Sequence, residues 1–260
     1  MNVVFITPEE PFHLPVFFDK ILKDKNHNTF SVVIIRPIYK KNTWLSQTKR
    51  VINAFGFKIF LVEAIIFIYY KLLNFVSIFF ALNRFYSVER VVHHYNCPIY
   101  TPVNINDSMF LETLKSISPD VIVSVSSPQI FKNDLIDIPH LGCINIHGSM
   151  LPKYRGILPS FWMLAHNEKK AGITIHYINK GIDEGKIILQ REFDILPSDT
   201  LHSLVIRSKR LGAEALLEAL KMLEQGKVKL KPNPKEKGDY FSWPTKEAVT
   251  IFRDYGRRVR

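Results

Sequence analysis

The stretch MNVVFITPEEPFHLPVFFDKILKDKNHNTFSVVII, Met1 to Ile35, decides the fold. Val3 to Ile6 is a short apolar run stopped by Thr-Pro, and Phe30 to Ile35 is a second, so each reads as a strand. Between them lies a segment of helical length with apolar positions at Phe17, Phe18, Ile21 and Leu22. That cadence is a βαβ unit with parallel strands.

Working outward, further strands are predicted at Val121 to Val125, Gly142 to Ile146, Gly172 to Ile178 and Lys186 to Leu189. A long helix is predicted from Leu201 to Gln225, capped by Ser198 or Asp199 and ended by Gly226. The expected architecture is α/β: an open, mostly parallel twisted sheet with helices on both faces. A catalytic domain over 1–226 would be followed by a short basic extension over 227–260. Ligands of such sheets sit beyond the carboxyl ends of the strands. The chain has no G-x-G-x-x-G after its first strand and no G-x-x-x-x-G-K-[ST], which disfavours a dinucleotide or P-loop nucleotide.

With 260 residues, 47% hydrophobic and 23% charged, the chain suits one sizeable core and excludes wholesale disorder. Two cysteines, Cys97 and Cys143, make neither a disulfide framework nor a metal cluster, so no metal is expected. A reducing cytoplasm is the expected compartment, because the first residues lack the basic start and apolar run of a signal peptide. A formal charge of +11 calls for an anionic partner: nucleic acid, a phosphorylated substrate or an anionic membrane surface.

The region 51–85 reads as an apolar helical insertion. From Ala64 to Asn83 the sole charge is Lys71, a length sufficient to span a bilayer. On a helical wheel, however, Glu63, Tyr70, Lys71, Asn74, Ser77 and Arg84 share an arc of about 140°. Three placements follow from this pattern: against the core or a partner subunit of a homodimer, on the inner membrane face as a peripheral contact, or across the bilayer.

Chemistry concentrates in INIHGSMLPKYRG, Ile144 to Gly156, and GIDEGKI, Gly181 to Ile187. Asn145 offers an amide donor to a developing oxyanion, His147 a donor or proton carrier, and Asp183 a carboxylate that holds the histidine or accepts a proton. Such a set suits transfer of an acyl group to an amine through a tetrahedral intermediate. Ser149 lies in no G-x-S-x-G elbow, so direct transfer is favoured over an acyl-enzyme. Each signal alone has a plainer counterpart, N-x-H as loop capping and G-x-D-x-G as a turn in which the glycines supply positive φ. Among the other histidines, His176 in ITIHYI is the exception, since alternation could face it toward the same cleft or simply into solvent.

These residues carry a resemblance. NIHGSMLPKYRGILPSFW, GITIHYINKGIDEGKIILQ and the following Asp199-Thr200 resemble the formyltransferases that use 10-formyltetrahydrofolate, a family that includes glycinamide ribonucleotide, methionyl-tRNA and sugar N-formyltransferases. The match spans about Asn2 to Gln225 and is weakest from Tyr39 to Tyr95. The resemblance implies a Rossmann-like formyltransferase fold, 10-formyltetrahydrofolate as formyl donor, and Asn145, His147 and Asp183 as the catalytic trio. Asn145 and His147 would stabilise the oxyanion, and Asp183 would accept the amine proton. VIVSVSSPQIF resembles the segment lining the folate pocket, placing Ser126, Ser127, Gln129, Ile130 and Phe131 at the pteridine together with Ile182 and Asp183. Ser149, Lys153, Tyr154 and Arg155 would contact the substrate, the two basic residues meeting its anionic part.

The expected acceptor is a small-molecule amine bearing negative charge, best matched by a nucleotide-linked amino sugar. DNA is not expected, and tRNA is disfavoured because the roughly 35 residues after Gly226 are too few for the β-barrel of methionyl-tRNA enzymes. Glycinamide ribonucleotide, a lipid-linked amino sugar and a non-catalytic binding module remain the alternatives. Tyr240, Phe241 and Trp243 would either clamp the tail to the core or face a base or sugar.

Overall fold

The computed structural model describes residues 1–24, 28–37, 44–80, 82 and 84–260. Tyr39, at the start of the weakly matching segment, and Ala81 and Asn83, at the end of the apolar one, lie outside the described residues. The elements in chain order are β1 (Asn2–Pro8), α1 (Leu14–Lys23), β2 (Thr29–Ile35), α2 (Trp44–Phe55), α3 (Phe57–Val76), α4 (Val88–His94), β3 (Ile99–Tyr100), α5 (Ser108–Ile117) and β4 (Val121–Ser124). There follow α6 (Asn133–Ile136), β5 (Cys143–His147), β6 (Arg155–Gly156), α7 (Pro159–Ala165), β7 (Lys170–Tyr177), β8 (Ile187–Asp194), α8 (Leu201–Glu224), β9 (Tyr240–Phe241) and α9 (Lys246–Asp254).

Among the described residues, seven strands form the main sheet in the order β3-β2-β1-β4-β5-β7-β8. The first five are parallel, and β7 and β8 are antiparallel additions. β1 shows why the apolar runs form central strands: Val3 and Phe5 point into a core made with α1, α4 and α8, while Val4 and Ile6 point into one made with α5 and α6. Alternate residues are thus buried on both faces, which demands a run without polar interruption. A third cluster joins α2, α7 and α9, so the residues after Gly226 are packed onto the domain. The chain runs β1-β2-β3 to one side and then returns to place β4 and β5 on the other, and the loops after β1 and β4 meet at this reversal.

The predicted strands and long helix lie where expected within a few residues. The short β3 was not anticipated. The cap of α8 is Thr200, whose side chain accepts from Ser203 N while Ser203 Oγ accepts from Thr200 N. Asp199 is instead buried against Leu196 N and Arg207. Gly226, at φ 63°, ends the helix as expected. The apolar insertion is two helices broken at Gly56.

Candidate active site

β5 and β7 pair so that Asn145 lies directly opposite His176 and His147 opposite Thr174. Alternation therefore places Asn145 and His147 on one face of the strand end, with His176 brought beside them by the antiparallel neighbour. The turn after β7 then returns Asp183 to the same point. Its carboxylate lies 3.5 Å from His147 Nδ1 through one oxygen and 3.5 Å from His176 Nε2 through the other. Asn145 Nδ2 donates to Asp183 Oδ1 at 3.3 Å and to His176 Nε2 at 3.2 Å. His147 and His176 are 5% and 2% exposed, whereas Asn145 and Asp183 are partly exposed, so the two imidazoles are buried and the amide and carboxylate form the open side of the cluster.

Carbonyl oxygens only accept, which fixes both imidazole tautomers. His147 Nε2 donates to the Tyr154 carbonyl at 2.7 Å, leaving Nδ1 as the bare nitrogen that faces Asp183. His176 Nδ1 donates to the Tyr177 carbonyl at 2.9 Å, leaving Nε2 to accept from Asn145. Burial lowers the pKa of His147, against the pull of Asp183. Burial alone would raise that of Asp183; the charge of the His147 ring when it carries a proton on Nδ1, together with the Gly156 amide, outweighs it and holds the carboxyl well below the usual range.

The turn is built differently from the simple expectation for G-x-D-x-G. Asp183 itself takes the left-handed conformation, at φ 54°, and neither Gly181 nor Gly185 does. Gly185 is required for proximity, because a Cβ there would stand 1.7 Å from the Tyr177 carbonyl oxygen. Two residues pin the turn from outside. Arg155 Nε donates to the Asp183 carbonyl at 3.0 Å, and Asn233 Nδ2 donates to the same carbonyl at 2.8 Å and to that of Gly185 at 3.0 Å.

The expectation that Arg155 meets an anionic substrate is therefore corrected. Its guanidinium is 3% exposed and is spent on Asp183, Lys235 and Asn233. Ser149 is likewise turned inward, its hydroxyl donating to the Lys153 carbonyl at 2.7 Å. Tyr154 donates its hydroxyl to Glu168 and stacks on Phe241, with ring centroids 5.3 Å apart. Lys153 is exposed and lines, with Tyr154, a groove of about 340 Å³ that Asn145, His147 and Asp183 do not reach.

In the loop after β4, Gln129 and Phe131 point into the fold. The Gln129 amide joins Ile105 N to the carbonyls of Arg36 and Val103, and Phe131 lies in the α5 core. Ser127 closes the loop on Gln129 O, whereas Ile130 is 79% exposed and Ile182, across the site, is also open. Ser126 accepts from Lys209 Nζ at 2.8 Å. Burial pushes that ammonium down to about 8. Lys209, Asn233 and the bridging part of His176 were missed in the sequence; alternation in ITIHYI was the signal for His176, and nothing local marks the other two. The tail aromatics divide: Phe241 and Trp243 clamp to the core, and Tyr240 stays exposed.

The family model for formyl transferase matches residues 1–220. Methionyl-tRNA formyltransferase of Clostridioides difficile is 40% identical over 139 residues, 54% of this chain and 45% of that protein. The chain spans about half the length of the curated relatives it matches. Phosphoribosylglycinamide formyltransferase from Anaplasma phagocytophilum superposes with a TM-score of 0.61 at 17% identity, covering 93% of this chain and 99% of that one. An N-formyltransferase from Helicobacter canadensis, solved with folinic acid and dTDP-3-aminofucose, gives 0.58 at 18% identity, covering 93% and 71%. The family model covers most of the chain and the mostly parallel α/β sheet agrees with the fold of these neighbours: the chain belongs to the formyl transferase family.

Proposed function

We propose that this chain transfers a formyl group from 10-formyltetrahydrofolate to a primary amine, and that the amine belongs to a nucleotide-linked amino sugar. The observation that carries the reaction is the convergence of Asn145, His147, His176 and Asp183 at the carboxyl end of β5. The donor set fits the folate: two open apolar side chains, Ile130 and Ile182, stand on the loops flanking the cluster and suit a flat heteroaromatic ring. Ser126, Ile130, Ile182 and the Asp183 turn would hold it, and when bound it supplies the electrophilic formyl carbon.

The protein groups divide the remaining work. Asn145 is the amide beside the reacting centre. Both of its N–H groups are engaged, with His176 and Asp183, so one of these two long bonds turns to the oxygen on which negative charge builds. Such a donor is worth about 3–4 kcal/mol where water is excluded. With Nε2 of His147 committed to Tyr154, Nδ1 is the atom that takes the proton released by the amine, and Asp183 stabilises the imidazolium. The imidazolium would return that proton to the folate nitrogen as the bond from that nitrogen to the formyl carbon breaks. In this reading the oxyanion contact expected of His147 passes to Asn145. His176 fixes the Asn145 amide, and Arg155 with Asn233 fixes Asp183.

The amino-sugar acceptor is supported by the sugar N-formyltransferases among the structural neighbours. A second reading, methionyl-tRNA, is favoured by the relatives at 40% identity. Incubation with 10-formyltetrahydrofolate and either acceptor separates them. Tetrahydrofolate release with the amino sugar alone supports the first reading, and release with methionyl-tRNA alone replaces it by the second.

A further inference from the structure

The 20-residue helix α3 is inside out. It is long and apolar enough to cross a bilayer, yet none of its residues is buried. Glu63 and Tyr70 face the protein: Glu63 pairs with Arg260 at 2.7 and 2.8 Å, and Tyr70 lies between Phe12 and the Arg84 guanidinium. Just beyond the helix, the Ser77 carbonyl accepts from Arg90 at 2.6 Å. Its apolar residues point away, with Ile68 67% and Phe75 58% exposed, and Phe79 and Phe80 continue the surface past the helix end. A soluble helix would bury that face, since each exposed Leu, Ile or Phe forgoes its transfer free energy.

We infer that α3 lies in the interface of an anionic lipid bilayer, apolar face down, with its polar stripe held by the protein. Three observations favour lipid over a second copy of the chain. Between Lys71 and Lys58 the helix wheel leaves an arc of about 140° whose exposed residues, among them Leu61, Ile65, Ile68, Leu72 and Phe75, are all apolar, wider than the a/d seam that two paired helices share. From Lys49 to Arg84 the sequence holds five basic residues (Lys49, Arg50, Lys58, Lys71, Arg84) and one acidic (Glu63), a net of +4 that a second copy would repel and anionic headgroups would attract. Lys58 and Lys71 flank the apolar stripe on either side, where their stems can follow the surface and their ammonium groups reach headgroups. The C-terminal segment adds to this charge: Arg253 and Arg258 line a groove of about 300 Å³ against Phe55, Ile59 and Val62.

A plane-lying helix is favoured over a spanning one because its inner side is occupied by protein through the Glu63 pair and the loop carrying Phe12. That loop follows β1 at the carboxyl edge of the sheet, so the membrane would border the edge that holds Asn145 and His147. The inference is independent of the acceptor, and failure of either proposal leaves the other standing.

The test is co-sedimentation of the full chain with vesicles of phosphatidylcholine, with and without phosphatidylglycerol, alongside the double variant Ile68→Asp, Phe75→Asp. The expected result is binding that rises at least ten-fold with phosphatidylglycerol and falls at least ten-fold in the variant, whose circular dichroism and folate binding are unchanged. Full-length protein that stays in the supernatant at low salt overturns the inference. So does vesicle binding undiminished in the variant, which would assign it to the basic tail alone. A concentration-dependent dimer that forms without vesicle binding and is lost in the variant would assign the face to a second copy.

Discussion

Asn233 donates its amide to the carbonyl of Asp183 across 2.8 Å although fifty residues of chain separate them. The acidic member of the cluster thus owes its position to the C-terminal extension, in partnership with Arg155. Replacing Asn233 by Ala leaves two buried carbonyls short of a donor, at about 1–3 kcal/mol. The expected outcome is a lower Tm and a kcat reduced about ten-fold with folate affinity within two-fold, measured by thermal melts and initial rates; an unchanged kcat would show that the pin does not position Asp183.

Asp183→Asn keeps the left-handed turn, because Asn tolerates positive φ. It removes the negative charge beside His147. Turnover is expected to fall by about 10²–10⁴, the range of general acid–base catalysis, because His147 can no longer be held as an imidazolium, with circular dichroism unchanged.

Gly185→Ala forces a Cβ into the Tyr177 carbonyl, and backbone cannot swing aside as a flexible side chain would. A loss of about 1–3 kcal/mol is expected, read as a Tm lowered by several degrees. Thr200→Ala, at the cap of α8, is expected to cost about 0.5–2 kcal/mol and leave kcat unchanged, since it touches none of the cluster.

The pH dependence of stability has one sign for both central groups. Asp183 is more acidic folded than unfolded, so its stabilisation is present above the ordinary carboxylate range and is lost as pH falls below about 4. Burial lowers the His147 pKa, so the unfolded chain takes up that proton first as pH falls through about 6.5. Tm should therefore decline steadily on acidification from neutrality. Asp183→Asn should retain the histidine limb and lose the carboxylate limb; a wild-type Tm that rises between about pH 6.5 and 4 contradicts the His147 assignment, and a Tm that falls equally in wild type and variant below about pH 4 contradicts that of Asp183.

Much of this was legible from the chain alone where a local pattern carries the physics. Val3 to Ile6 must be apolar at every position because both faces of β1 are covered, and that pattern survives in a four-residue window. Asn145 and His147 are two residues apart on one strand, so their shared face follows from pleating. The Asn233 pin and the Lys209–Ser126 contact join segments 48 or more residues apart and leave no local trace. Arg155 misled for a related reason: an arginine in a polar loop looks solvated until a distant strand, β9, pairs with β6 and covers it. In α3 the wheel located most of the polar stripe, but only the packing of Arg260 on Glu63 showed that it faces inward.

The most direct measurement is release of tetrahydrofolate from 10-formyltetrahydrofolate by the purified chain with a nucleotide-linked amino sugar, for wild type and Asp183→Asn in parallel. The account predicts turnover by the wild type and a loss of about 100-fold or more in the variant at equal folate binding. No release with any amine, or a variant as fast as wild type, would contradict it.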